Sequence, residues 1–170
     1  MGDQPADGND ETVARTLTTE EKARNVIACG FGGDERKYRE FVDVLRANIP
    51  PDTAVILRGS CVTGERWRDG KPFDADGPGT SDLDLTLVGA EALKLFNTTG
   101  FFVPAVHSRP LGPDDPDIAP ELVPLREHLM SLVNRDVNIQ ASRDIVIQFR
   151  GDLLGQPYHV LIDKPGWEHT

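Results

Sequence analysis

Within residues 80–87, polar and apolar residues alternate without a break from Asp82 to Leu87, which is the pattern of a β-strand with one face on a core. Successive side chains of a strand point to opposite faces of the sheet. The apolar positions, which we expect on the core face, are Leu83, Leu85 and Leu87. The polar positions, which we expect on the opposite face, are Asp82, Asp84 and Thr86. The pattern therefore predicts a strand that carries two carboxylates on one face.

Three other stretches are predicted to be helices. Thr18-x-x-Glu21 has the form of a capping box and predicts a helix over residues 19–29. A second helix is predicted over residues 35–48 and a third over residues 121–133, because apolar residues recur there every three or four positions. In the second helix, these positions are Tyr38, Phe41, Val42, Leu45 and Ile49.

The remaining segments are shorter, and several are bounded by glycine and proline. Strands are predicted over residues 53–57, 137–139 and 158–162, and a short helix over residues 90–96. Residues 101–103 form either a strand or a buried loop, and residues 142–154 fit either a strand or a helix. Helices and short strands without regular β-α-β spacing predict an α+β fold, with a small mixed sheet flanked by helices.

The chain length of 170 residues fits one domain, which we place at residues 17–163. Residues 1–16 begin with an acidic, Gly- and Pro-containing stretch and are expected to be a disordered leader, and residues 164–170 a flexible tail. No apolar run is long enough for a signal peptide or a membrane helix, so we expect a cytoplasmic protein without a membrane partner.

The net charge and the cysteine content narrow the function further. The formal net charge is −10, and the chain has no Lys/Arg cluster that could form a basic stripe. Bulk binding of nucleic acid is therefore not expected. Two cysteines, Cys29 and Cys61, provide neither a disulfide framework nor a zinc site.

Asp82 and Asp84 are the first candidates for chemistry. Residues two positions apart on a strand lie roughly 6–7 Å apart at the Cα atoms. Two carboxylates at that spacing suit a hard divalent cation such as Mg²⁺ or Mn²⁺, although an acidic strand face in solvent gives the same pattern.

Upstream, Gly59-Ser60 follows a predicted strand and precedes a possible helix. Backbone N–H groups and a hydroxyl at such a turn can bind a phosphate.

Arg58-Gly59-Ser60, followed after a loop by Ser81-Asp82-Leu83-Asp84-Leu85, resembles the signature of the DNA polymerase β-type nucleotidyltransferase superfamily. The likeness covers residues 54–88 and is greatest to minimal bacterial members, which include antitoxins of toxin–antitoxin pairs. The resemblance implies that Gly59 and Ser60 hold the triphosphate of an NTP and that Asp82 and Asp84 bind Mg²⁺. The resemblance also implies a nucleotide-binding role for Ser81. Arg58, if it points toward the pocket, could neutralise phosphate charge.

The chain departs from the family pattern first in the loop between the two motifs. Ser60 and Asp82 are 22 positions apart, which is longer than is usual in the family. Trp67 and Phe73, within this loop, could stack on a base, but packing at the base of the loop is the favoured interpretation. Asp74 and Asp76, which lie beside glycine and proline, are interpreted as turn residues.

The second departure is the third carboxylate, which the family places on a neighbouring strand. Asp136 directly precedes the strand predicted at residues 137–139 and is the favoured candidate for this catalytic and metal-binding role. Asp144 is the alternative if its segment is a strand. If Asn138 occupies the position instead, the site would be weakened or inactive, because an amide is not a base.

These residues favour a Mg²⁺-dependent nucleotidyltransferase that transfers a nucleoside monophosphate from an NTP to a small molecule or a protein side chain. The alternative is a nucleotide-binding or toxin-neutralising partner with the same fold and little or no turnover. An acidic domain without any nucleotide is the third hypothesis. Because no second domain is evident, a partner protein or a homodimer could complete the acceptor site.

Overall fold

The computed structural model describes residues 16–169, so 15 of the 16 residues of the predicted leader lie outside the described part. Within that part the chain forms one six-stranded sheet. The strands are β1 (Ala54–Arg58), β2 (Leu83–Val88), β3 (Phe101–Val103), β4 (His107–Ser108), β5 (Val137–Ser142) and β6 (Tyr158–Ile162). Six helices accompany them: α1 (Thr19–Phe31), α2 (Glu35–Asn48), α3 (Ser60–Thr63), α4 (Ala90–Leu93), α5 (Val123–Val133) and α6 (Asp144–Gln148).

The sheet has the strand order β3-β4-β5-β2-β1-β6 and is mixed. β1 pairs with both β2 and β6 in antiparallel fashion, whereas β2 pairs with β5 in parallel. A parallel pair needs a long crossover connection. Here residues 89–136 supply it and include β3, β4, α4 and α5. The predicted α+β class with a mixed sheet is therefore confirmed, whereas its assignment as nucleotidyltransferase-like remains a prediction.

The main hydrophobic core lies on the face of the sheet that α1, α2 and α5 cover. Leu83, Leu85 and Leu87 of β2 are all buried in this core, as the alternating pattern predicts. From the helices, the core includes Val26, Phe41, Leu45, Leu125 and Leu129. The opposite face of β2 therefore carries the polar residues and is free to form a site.

The other face of the sheet, opposite the main core, is only partly covered by other segments. Ala54, Ile56 and Val88 form a second apolar cluster there with Ile147 of α6. Trp167 is 8% exposed and belongs to the same cluster, so the predicted tail contains a residue that packs against the sheet. This cluster covers the sheet away from the carboxylates, which leaves the Asp84 end of β2 accessible.

Several element boundaries differ from the predicted ones. α1 continues to Phe31 because the first left-handed glycine is Gly32, with φ +61°. The ambiguous segment 142–154 divides: Ser142 ends β5, and α6 follows and continues as a π-type turn over residues 149–153. The helix predicted after Gly59 has only four residues, since Gly64 ends it. None of the helices in the described part is long and apolar enough to span a membrane.

The long loop between α3 and β2 is fixed to the body of the protein by Asp74. Both Asp74 carboxylate oxygens accept hydrogen bonds from Arg135, at 2.8 and 3.0 Å. Ser81 and Asp74 also exchange backbone-to-side-chain hydrogen bonds, each 2.9 Å. Phe73 is half-buried, and the Arg135 guanidinium lies 4.6 Å from its ring centre. Asp74 is thus a turn residue, as predicted, and also the anchor of the loop.

Asp74→Asn should lower the free energy of unfolding at pH 7 by about 1.5 kcal/mol, as expected for a hydrogen bond to a charged group. Asn tolerates the left-handed backbone at this position, where φ is +58°, so the substitution removes mainly the charge. The Arg135 hydrogen bonds, followed by those from the Ser81 and Gly79 backbones, lower the Asp74 pKa from 3.8 to about 2. The contribution is therefore complete above pH 3.8 and is lost as the pH falls toward 2.

Urea unfolding at pH 7 and pH 3 measures both effects. The difference between wild type and Asp74→Asn should shrink at pH 3. Asp43→Asn is the control, because Asp43 makes only a 3.6 Å surface pair with Arg46 and should change stability by less than about 0.5 kcal/mol. Equal losses from the two substitutions would contradict the anchoring role of Asp74.

Candidate functional site

Asp82 and Asp84 lie at the end of β2, and one side chain holds them together. The Nδ2 atom of Asn138 donates hydrogen bonds to Asp82 Oδ2 at 2.6 Å and to Asp84 Oδ1 at 3.1 Å. Asp82 is exposed, whereas Asp84 is half-buried on the polar face of the sheet. The two predicted metal ligands are therefore brought to one place.

The register of the sheet puts an amide beside Asp84. In the parallel β2–β5 pair, Asp84 is the partner of Asn138. The Asp136 carboxylate is exposed and lies 3.7 Å from Arg126 Nη2, while Asp144 is the exposed first residue of α6. Among residues 16–169, no group of three or more His, Cys, Asp or Glu residues could hold a metal ion. The role of Asp136 as third carboxylate thus stays a prediction.

The Asn138 amide oxygen is notable because it is buried and accepts no hydrogen bond from any described residue. A buried polar atom without a partner is costly. Reversing the amide about its last side-chain bond would turn Oδ1 toward the two carboxylates, which suits oxygen coordination of a cation. With that reversal, Asp82, Asp84 and Asn138 are the described residues that could supply oxygen ligands to a cation, and Mg²⁺ or Mn²⁺ binding stays a prediction.

The electrostatics of Asp84 also favour a cation. Burial, followed by the negative charge of Asp82, raises the pKa of Asp84 above its ordinary value. The Asn138 hydrogen bond and the charges of Arg58 and Arg150 act in the opposite direction but do not cancel the rise. Ionised Asp84 is therefore unfavourable in the folded protein, and a bound cation would relieve that cost.

Two arginines face Asp84. Arg58 ends β1 directly opposite Asp84 and donates from Nη2 to Gln140 Oε1 at 2.8 Å. Its Nε is buried and has no hydrogen-bond partner among the described residues. Burial, followed by the charge of Arg150, lowers the Arg58 pKa to about 10, so the guanidinium is still protonated at pH 7. Arg150, which donates to Gln156 Oε1 at 2.8 Å, adds a second positive charge.

Gly59 allows the turn after β1 to pass close to Asp84. Its φ of +84° and ψ of −160° fall in a region that essentially only glycine adopts. A Cβ atom at this position would lie 3.1 Å from Asp84 Oδ2, so a side chain would crowd the carboxylate. Ser60 begins the four-residue α3, which is too short to provide a helix dipole of any size. Gly59 thus lies beside Asp84, whereas the phosphate role of Ser60 stays a prediction.

Ser81 has a different environment from the one the motif implies. Its Oγ accepts a hydrogen bond from the Asp74 backbone at 2.9 Å, and its carbonyl oxygen accepts one from Arg135 at 2.7 Å. Both contacts belong to the anchor of the long loop. Ser81 therefore fixes the start of β2, and nucleotide contact by its side chain stays a prediction.

A cavity of about 280 Å³ lies beside Gly59, Asp84 and the two arginines, whereas Ser60, Ser81, Asp82 and Asn138 do not line it. It is lined by Arg58, Gly59, Thr63, Glu65, Trp67, Asp84, Arg150, Gln156 and Pro157. The favoured packing interpretation is wrong for Trp67, which is 78% exposed. It is confirmed for Phe73, which packs against the main core. Sequence reasoning did not identify Arg150, since its segment carries no motif and has two competing periodicities.

No family model matches this chain, and neither a curated protein nor a solved structure matches it. The resemblance to the nucleotidyltransferases therefore rests on the motifs at residues 58–60 and 81–85. The site must be argued from its own geometry, in which a glycine turn, two arginines and Asp84 line one cavity and Asp82 lies beside Asp84.

Asp84→Asn should raise the free energy of unfolding at pH 7. Asp84 has a pKa that is raised by folding, so its ionised form destabilises the folded state above the pKa of the unfolded chain. The gain should shrink as the pH is lowered and wild-type Asp84 becomes protonated. Urea unfolding between pH 4 and pH 8 measures it, with the exposed Asp114→Asn as control. A loss of stability on Asp84→Asn would contradict this account.

Proposed function

We propose that the protein binds a nucleoside triphosphate together with Mg²⁺ or Mn²⁺ and transfers the nucleoside monophosphate to an acceptor. The observation that carries this proposal is the shared cavity of Asp84, Gly59 and two arginines. The arginines supply positive charge for phosphate oxygens, and the glycine turn allows backbone N–H groups to approach them. Asp82 and Asp84 supply the oxygen ligands that a divalent cation requires.

In the proposed reaction, an acceptor hydroxyl attacks the α-phosphorus of the nucleotide. A bond forms from the acceptor oxygen to phosphorus, the bond between the α-phosphorus and the bridging oxygen breaks, and pyrophosphate leaves. The cation, when bound, supplies charge stabilisation to the phosphate oxygens. Arg58 and Arg150 orient the phosphates, and the exposed Asp136 is the proposed acceptor of the hydroxyl proton.

The charge of the chain constrains the acceptor. A formal net charge of −10 disfavours a polyanionic acceptor such as tRNA or DNA. The acceptor is therefore proposed to be a small molecule or a protein side chain, and a partner protein or a second copy could contribute to its site.

The test uses labelled ATP, GTP, CTP and UTP with Mg²⁺ or Mn²⁺ and a lysate as the source of acceptors. Wild type should release pyrophosphate and label a product, while Asp82→Ala/Asp84→Ala should lose at least about 100-fold in rate, because the two ligands of the cation are removed. Asp114→Asn is the matched control, since it removes an exposed carboxylate outside the cavity. No nucleotide binding by wild type, or equal rates in both variants, would contradict the proposal.

The position of Asn138 favours a second candidate function, which is nucleotide binding without turnover. In the family that the motifs resemble, a carboxylate occupies the neighbouring strand, and here the partner of Asp84 is an amide. An amide can ligate a cation through its oxygen but cannot take a proton. A protein of this kind would sense a nucleotide or neutralise a toxin partner.

Asn138→Asp distinguishes the two candidates. If the amide alone prevents turnover, wild type should bind ATP with Mg²⁺ and release no pyrophosphate, and Asn138→Asp should show pyrophosphate release that depends on Mg²⁺. The carboxylate also adds a third negative charge, so it should tighten Mn²⁺ binding in calorimetry. Steady release by wild type that Asp136→Ala abolishes would exclude the second candidate.

A further inference from the structure

Trp67 is the most exposed large hydrophobic residue of the described part, with 78% of its surface accessible, and it lines the cavity. Its neighbours along the chain hold the backbone in place. Residues 64–73 fold into a narrow hairpin, closed by hydrogen bonds from the Arg66 N–H to the Lys71 carbonyl at 2.8 Å and from the Phe73 N–H to the Gly64 carbonyl at 2.9 Å. We call residues 64–73 the Trp67 hairpin.

Side-chain ion pairs add to the rigidity of this hairpin. Arg66 Nη2 lies 2.7 Å from Asp76 Oδ2, and Arg66 Nη1 lies 3.8 Å from Asp69 Oδ2. Phe73, at the base of the hairpin, packs against the main core and against Arg135. The indole of Trp67 is therefore presented to solvent by an anchored hairpin, rather than left exposed at the end of a loose loop.

The positive and negative side chains of the cavity come from different segments of the chain. The strand ends and the π-type turn supply Arg58 and Arg150, which suit phosphate. The Trp67 hairpin supplies an aromatic face and the Glu65 carboxylate, which accepts hydrogen bonds and repels phosphate. A ligand that satisfies both sides has an anionic part, a flat ring, and hydroxyl or amino groups close to the ring.

The volume of the cavity also favours separate positions for the phosphates and the base of a ligand. About 280 Å³ lies just below the range of about 300–1,000 Å³ that is typical of sites for whole small molecules. A cavity of this size can hold a polyphosphate beside the arginines, whereas a complete nucleotide would extend beyond it. Trp67 is the aromatic residue at the rim of the cavity.

We propose that the exposed indole of Trp67 stacks on the base of the nucleotide, so that the cavity recognises a nucleoside polyphosphate rather than polyphosphate alone. This inference rests on the proposed function, because it assigns the base to a site whose phosphate end was argued above. Stacking accepts any base, since every base has a π face. Glu65 adds an acceptor for hydroxyl groups of the ribose or amino groups of the base.

The test compares ATP with inorganic tripolyphosphate, each with Mg²⁺, by calorimetry on the whole chain. Wild type should bind ATP more tightly than tripolyphosphate. Trp67→Ala should weaken ATP binding roughly 5- to 100-fold, the range that follows from measured base–aromatic stacking, and leave tripolyphosphate binding unchanged. Trp67→Phe should retain most of the ATP affinity because it keeps a ring. Phe102→Ala, which removes an exposed ring outside the cavity, is the matched control and should bind ATP as wild type does.

Intrinsic fluorescence gives an independent measurement, because the chain has two tryptophans and Trp167 is buried on the sheet. ATP should quench wild-type emission, and the quenching should disappear in Trp67→Phe. If wild type binds both ligands but Trp67→Ala weakens neither, or weakens both equally, the stacking role is overturned while the proposed function stands. If wild type binds neither ligand, the proposed function fails, and the stacking role fails with it.

Discussion

The parallel pairing of β2 with β5 is the constraint on which the rest of the site depends. It sets Asn138 beside Asp84 and allows one amide to hold two carboxylates that would otherwise repel each other. The antiparallel pairing of β1 then places Arg58 opposite the same carboxylate, from the other side of β2. Residues from three neighbouring strands thus meet at Asp84. A shift of the register by one residue would turn the buried side chains of a strand to the polar face and its polar side chains to the core.

The alternating pattern was sufficient to predict β2 and its two faces, because burial of one face forces a period of two. The alternating pattern was not sufficient to predict which residue lies beside Asp82 and Asp84 on the neighbouring strand. Asp136 and Asn138 differ by two positions and share a face, so both satisfy the alternation. Only the register, which the sequence does not encode locally, distinguishes them. For Trp67 the sequence favours packing at the base of the loop, but the side chain is exposed on a hairpin whose backbone hydrogen bonds join residues that belong to no recognisable motif.

The site combines features that lower stability with features that suit a charged ligand. A buried carboxylate with a raised pKa, an unpaired amide oxygen and an unpaired arginine nitrogen all lie within one part of the sheet. Elsewhere on this face, Gln140 bonds to Arg58 and Ser108, Ile147 covers the apolar part, and the buried Thr86 hydroxyl has no hydrogen-bond partner among the described residues. Arg58 and Asp84 line the cavity, and an unpaired donor beside a carboxylate of raised pKa is typical of binding sites, where a ligand supplies the missing partners.

The Asp74–Arg135 anchor has a consequence for how the cavity forms during folding. The two residues are 61 positions apart, and Arg135 lies just before β5, the strand that closes the longest crossover of the sheet. Loop-closure entropy opposes a contact of such sequence separation until the intervening chain is ordered. The Trp67 hairpin can therefore be anchored only after β5 has reached β2. A chain that is cut before residue 135 has its first motif and its acidic strand but lacks the residue that anchors the Trp67 hairpin.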